Sequence, residues 1–158
     1  MDCFFYGTLR DADVLCAVIG RSTARLTVEQ ADLSGFRCVF RRGARYPVLR
    51  IAAGAMTPGD LVSGLTAGDL RRLVAYEGRD YRLARLAVRL RDGRVRPAFV
   101  FMPKDSSLAS RTPWSLAAWQ KRDKGAFLAG LCQRSPGGAT FADRSARRGE
   151  RSFIHRAA

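Results

Sequence analysis

Histidine occurs once in these 158 residues, as His155, within a basic stretch at the end of the chain. A Ser-His-Asp triad or a Cys-His dyad would have to recruit that one imidazole. The four cysteines, Cys3, Cys16, Cys38 and Cys132, form no C-x-x-C pair. Zinc sites and dithiol redox motifs are therefore not spelled out, and no metal or cofactor is expected. There is no G-x-x-x-x-G-K-[ST] loop and no G-x-G-x-x-G turn, which removes the common phosphate and dinucleotide cradles. No apolar run approaches the ~20 residues of a membrane helix, so no membrane partner is expected. Asp2 stands where a signal peptide would carry basic residues, so the reading is cytoplasmic, with thiols reduced. Cys3 and Cys16 lie in apolar runs and are expected as buried thiols.

Acids are scarce too: 14 against 28 basic residues, of which 25 are arginine, for a net charge of +14. Such a balance raises nucleic-acid binding as a reading. The arginines, however, are spread at strand and helix spacing rather than in a block. No aromatic platform alternates with them as single-strand binding requires. A solvated arginine-rich surface is the preferred reading, and its field would attract anionic small molecules.

Apolar residues make up 47%, enough for one compact domain of this length. Cys3–Tyr6 reads as a short buried strand. Asp11 and Asp13 can cap a helix over 14–19, ended by Gly20. Residues 26–31, 36–40, 46–51 and 61–65 read as strands, with Gly35 a break and 52–60 a loop punctuated by Gly and Pro. Thr66 can cap a helix over 67–75, closed by Gly78. Residues 81–91 form a long strand that turns at Asp92-Gly93 into a return strand through Phe101. Thr112-Pro113 reads as cap and first residue of a last helix. From Arg134 the composition becomes small, polar and basic. The chain thus divides into a domain over 1–131 and a basic, disordered tail over 132–158. Strand-rich with two or three helices, it is α+β with a mixed or barrel-like sheet.

Two places carry chemistry. The strand that ends at Tyr6 runs into Gly7-Thr8-Leu9, where backbone N–H groups at a strand end can hold an anion or a carbonyl oxygen. The second is Glu77. Of three glutamates, Glu150 lies in the tail and Glu29 in a strand facing solvent. Glu77 ends a helix between Tyr76 and Gly78, where the helix dipole and partial burial both raise a carboxyl pKa. On the glutamate alone, a solvated helix-end residue is the plainer reading.

Taken together, Tyr6-Gly7-Thr8-Leu9 and Tyr76-Glu77-Gly78-x-x-Tyr81 resemble the gamma-glutamylcyclotransferase-like family, on its AIG2-like and gamma-glutamylamine cyclotransferase branch. Tyr46-Pro47, Gly64, Asp69-Leu70-x-x-Leu73, the hairpin through Asp92-Gly93 to Phe101, and Pro113-Trp114-Ser115-Leu116 through Trp119 agree in order. The resemblance covers residues 3 to about 131. It implies a small mixed β-barrel flanked by helices, with a cavity at one mouth and a γ-glutamyl compound as small-molecule partner. It further implies Glu77 as general acid/base, the amides of Tyr6, Gly7, Thr8 and Leu9 as substrate cradle, and Tyr81 at the cavity wall. The implied reaction releases an amine, amino acid or peptide and forms 5-oxoproline. The substrate's own α-amine is the nucleophile, so neither serine, cysteine nor metal is needed. A non-catalytic ligand-binding module of the same fold is the alternative, and nucleic-acid binding through the arginines the weaker one. Oligomeric state is not legible.

Overall fold

The fold was described from a computed structural model, covering residues 1–132 of the chain. The expected tail lies outside the described residues from 133 on, with His155 and Glu150 in it, while Cys132 ends the last helix. Six strands and four α-helices follow one another in the order β1 (Cys3–Phe5), α1 (Ala12–Ile19), β2 (Thr27–Arg41), β3 (Pro47–Ser63), α2 (Ala67–Glu77), β4 (Tyr81–Leu90), β5 (Val95–Pro103), β6 (Ala109–Pro113), α3 (Leu116–Arg122) and α4 (Lys124–Cys132).

Five strands close a barrel in the order β3-β1-β5-β4-β2, with β2 returning to β3. β1 runs parallel to β5 and every other pairing is antiparallel, so the barrel is mixed. β6 adds to β2 outside the ring. Alternation along the strands sends side chains to both faces. Phe4, Leu33, Leu49, Leu61, Val88 and Val100, drawn from all five barrel strands, form the interior core. Cys3, Phe5, Val39, Val48 and Phe101 face outward and are covered by Val14, Ile19, Leu73, Trp119 and Phe127 of the helices.

Several sequence expectations change here. The segments 26–31 and 36–40 are one strand, and Gly35 is a bulge within it, at φ +83°. Opposite it, the presumed loop 52–60 is part of β3, with a shift of register: Ser34 faces Met56, whereas Phe36 faces Ile51. The extra residues on β3 are taken up by the bulge, which bends both strands around the barrel. Thr112-Pro113 ends β6, with Pro113 paired to Val39; Ser115, whose hydroxyl accepts the Ala118 amide, caps α3 instead. The last helix breaks at Asp123 into α3 and α4, giving four helices instead of two or three. Asp123 is buried and holds Arg45 at 2.8 Å and Arg122 at 2.9 Å. Glu29 is not a free surface acid, since it pairs with Arg94 and Arg96. Cys3 is fully buried and Cys16 only half-buried.

Candidate functional site

Two segments about seventy residues apart in sequence meet at one mouth of the barrel. The first leaves β1. Its ladder ends at Phe5, and the chain turns through Tyr6-Gly7 into a single 3-10 turn over Thr8–Arg10. That turn is closed by the Arg10 and Asp11 amides, which donate to the carbonyls of Gly7 and Thr8. The amides of Gly7, Thr8 and Leu9 precede it and have no hydrogen-bond acceptor among the described residues. Such orphan donors are a consequence of starting any helical turn. Gly7 is required by a close approach: a Cβ there would stand 2.7 Å from Cγ of Pro47.

The second segment is the C-terminal end of α2. A capping box fixes the other end of this helix, with Thr66 accepting the Asp69 amide and Asp69 accepting the Thr66 amide. Arg21 clamps Asp69 from outside at 2.6 Å. The helix then runs to Tyr76-Glu77 and stops at Gly78. The Tyr76 hydroxyl lies 3.2 Å from the Thr8 hydroxyl, which ties the helix end directly to the turn after β1.

Between them is a pocket lined by Tyr6, Gly7, Thr8, Leu9, Glu77 and Tyr81 together with Phe4, Phe5, Tyr46, Pro47, Tyr76 and Phe101. All six residues singled out in the sequence therefore face one space. The space it offers to water-sized groups is about 40 Å³. That admits a few water-sized groups, such as the end of a ligand, rather than a whole one. Reasoning from sequence missed the contribution of Tyr46, Pro47, Tyr76 and Phe101. Tyr46-Pro47 was visible as a motif, but only the register of β3 against β2 and β1 brings it beside Gly7.

Glu77 is half-buried as a residue, and its carboxyl makes no hydrogen bond to any described residue. Burial alone pushes its pKa up to about 8. The effect is desolvation rather than a neighbouring charge. Tyr6 and Tyr81 are both buried, and each donates to a backbone carbonyl, Tyr6 to Phe101 at 2.8 Å and Tyr81 to Pro47 at 3.1 Å. Burial holds both phenols well above their ordinary pKa, with the nearby Glu77 charge adding to it. The two tyrosines thus stay neutral and pin the pocket walls to β5 and β3. Arg10 is not a free surface arginine; its guanidinium pairs with Asp60 at 3.0 Å.

The site therefore combines backbone donors and a carboxyl, poised near neutrality, that have no partner among the described residues, with aromatic walls. It can stabilise negative charge on an oxygen and move protons a short distance. Among the described residues no group of His, Cys, Asp or Glu is arranged to hold a metal ion. No described helix is long and apolar enough to cross a membrane.

Comparison with known proteins agrees with this architecture. A model of the family described as gamma-glutamyl cyclotransferase, AIG2-like, matches residues 3–121. AIG2-like protein A of Arabidopsis thaliana is 24% identical over 144 residues, covering 85% of this chain and 84% of the relative. AIG2-like protein C of the same plant is 25% identical over 130 residues, covering 80% and 73%. Among solved structures, an Arabidopsis thaliana protein determined in solution superposes with a TM-score of 0.61 at 22% identity, covering 85% of this chain and 93% of that one. A gamma-glutamyl cyclotransferase superposes with a TM-score of 0.60 at 12% identity, covering 96% and 98%. At these identities the structural likeness speaks for the fold.

Proposed function

The chain belongs to the gamma-glutamyl cyclotransferase, AIG2-like family, and on that premise we propose that it cyclises the γ-glutamyl group of a small substrate. The products are 5-oxoproline and a free amine, amino acid or peptide. One observation carries the reading: the Glu77 carboxyl, raised to about 8, lines the same small pocket as the amides of Gly7, Thr8 and Leu9, and none of these groups has a hydrogen-bond partner among the described residues.

The chemistry follows from that pairing. The γ-glutamyl end enters with its α-amine as an ammonium. Opposite charge lowers a carboxyl pKa, so the ammonium favours the ionised form of Glu77. The carboxylate takes one proton, and the amine attacks the γ-carbonyl carbon. Negative charge develops on the carbonyl oxygen, where backbone N–H groups of Gly7, Thr8 and Leu9 can receive it. One such donor is typically worth about 10²–10³ in rate. Glu77 gives its proton to the leaving nitrogen, and the C–N bond breaks as the ring carbonyl re-forms. The ring nitrogen loses two protons in all and the leaving nitrogen gains two, so a single carboxyl working twice balances the reaction. Ring closure is intramolecular, and the pocket supplies orientation rather than a nucleophile. Tyr6 and Tyr81, locked onto carbonyls, wall the pocket beside the carboxyl.

The test is 5-oxoproline release from γ-glutamyl amines, amino acids and peptides by the wild type and Glu77→Gln. A loss of about 10²–10⁴ in kcat is expected for the variant. The free enzyme holds Glu77 protonated below about pH 8, so the acid limb of kcat/KM should rise towards that pH. Equal activity of the two proteins would remove Glu77 from the mechanism.

A further inference from the structure

Glu77 is the last residue of α2 and Tyr81 the first of β4, and both line the pocket. Only Gly78, Arg79 and Asp80 lie between them. Gly78 has φ +74° and ψ −163°, a backbone region essentially confined to glycine. Glycine permits this turn but does not impose it, because no other residue has as much backbone freedom. Arg79 is exposed and has no hydrogen bond or ion pair among the described residues. Whatever fixes the direction of the chain after Glu77 therefore acts at Asp80.

Two contacts act there. The Lys104 amide donates to the Asp80 carbonyl at 2.8 Å, which ties the start of β4 to the end of β5. The Asp80 carboxylate accepts Nη2 of Arg41, also at 2.8 Å. Arg41 is the last residue of β2, and its side chain is only 10% exposed, against 40% for Asp80. Its amide donates to the Tyr46 carbonyl, and its guanidinium stands over the Tyr46 ring, 5.8 Å from the centroid. The Tyr81 phenol, raised by burial, feels the same guanidinium as an opposing charge. Arg41 thus joins two pocket walls, Tyr46 and Tyr81, to the connection that carries Glu77, without lining the pocket itself. Its Nε is buried with no acceptor among the described residues. Burying a guanidinium with a donor unsatisfied is costly, and a buried ion pair seldom offsets that in stability. What the pair does supply is a fixed position for the chain beside it.

We propose that the Arg41–Asp80 ion pair is a latch that holds the Glu77 carboxyl in the pocket, and that Arg41 and Asp80 are positioning residues for its proton transfers. With the latch closed, the end of α2 and the start of β4 are held together at the pocket wall. With it open, Gly78 lets the connection swing, and the carboxyl reaches water. The effect on turnover rests on the cyclotransferase reading, whereas the placement of Glu77 can be read without any substrate.

The chain has three glutamates, and Glu77 is the one carboxyl lining the pocket, beside the phenols of Tyr6, Tyr46, Tyr76 and Tyr81. Isotope labelling of the glutamate carboxyl carbons lets nuclear magnetic resonance follow its titration in the full chain, with Glu77→Gln identifying the signal. The wild type should titrate near 8. In both Asp80→Asn and Arg41→Gln the midpoint should fall by at least about one pH unit, as the carboxyl regains water. The two variants change the local charge in opposite directions, so a fall in both reports release rather than a neighbouring field. A midpoint that stays in place, or that falls in Asp80→Asn and rises in Arg41→Gln, would overturn the latch. Asp80→Asn alone also decides the matter if the more buried Arg41→Gln does not fold. Exchange of the Gly78 amide, which donates to the Val74 carbonyl at 3.0 Å, should then quicken by about tenfold as the connection opens; unchanged exchange overturns the proposal. In turnover, kcat/KM should drop by about tenfold or more in either variant, and Arg41→Lys, which can still pair with Asp80, should recover most of it. Absence of 5-oxoproline from the wild type would strike the cyclotransferase reading, and the titration would still decide the latch.

Discussion

Glu77 shows how one residue can be a liability to the fold and an asset to chemistry. Its pKa stands at about 8 in the folded chain, against an ordinary value of 4.5. Between those two values the folded state holds more protons than the unfolded chain, so this group lowers stability as pH rises through the window. Glu77→Gln removes the ionisation. The variant should melt close to the wild type near pH 5 and progressively higher towards pH 8, as read by thermal denaturation across that range. A difference that did not grow with pH would mean that the carboxyl is not desolvated. Gly7 makes the opposite trade. Its missing Cβ leaves Pro47 room to close the pocket, so Gly7→Ala must displace either the proline or the amides that follow. The chain should still fold, with kcat/KM down by about tenfold or more, since small misplacements of reacting groups are costly. A Gly7→Ala enzyme as active as the wild type would argue against the amides as the oxyanion site.

At the scale of elements, legibility followed local chemistry. α1 and α2 were readable because their caps are local: Asp11 accepts the amides of Asp13 and Val14, and Thr66 accepts that of Asp69. The β2–β3 ribbon was not, because its continuity depends on pairing. Pro58 and Gly59 look like loop residues until Asp32 and Ala31 of the partner strand hold them in a ladder, and Gly54 lies where the register shifts. Thr112-Pro113 satisfied the rule for a helix start, yet β2 recruits Pro113 as an edge residue that needs no donor. The clamp on α2 was equally hidden, since Arg21 reaches Asp69 across 48 positions. Asp69 is almost fully buried, and its carboxyl is held well below the usual range, chiefly by Arg21. This contribution is present above the ordinary aspartate pKa and is lost as pH falls below it. Asp69→Asn should therefore cost about 1–2 kcal/mol at pH 7, through a weakened cap and an orphaned arginine. Urea unfolding at pH 7 checks the magnitude, and the gap between variant and wild type should narrow in acid. Because α2 carries Glu77 at its far end, activity should fall with the same substitution.

The whole molecule explains why the site was legible in parts and its assembly was not. Tyr6–Leu9 and Glu77 could be picked out by residue type, but no local rule places a strand end beside a helix end. Closure of the barrel does this: β1 is inserted between β3 and β5, and α2 follows β3 directly, so the end of α2 returns over the mouth where β1 stops. The insertion is tight. A Cβ at Gly59 would overlap the ring of Phe4 and the carbonyl oxygen of Phe5, the two residues through which β1 enters the ring. Phe4 is fully buried in the interior core and the carbonyl is backbone, so neither can give way cheaply. Gly59→Ala should therefore act on the barrel rather than on the surface, at a cost of about 1–3 kcal/mol for overpacking. Its effect on function should be distinctive. If closure sets the distance between the Gly7–Leu9 amides and Glu77, then kcat should fall at temperatures where circular dichroism still reports a fully folded chain. If kcat is instead retained wherever the fold is retained, the meeting of the two segments is held locally, by the Thr8–Tyr76 contact, and not by the ring.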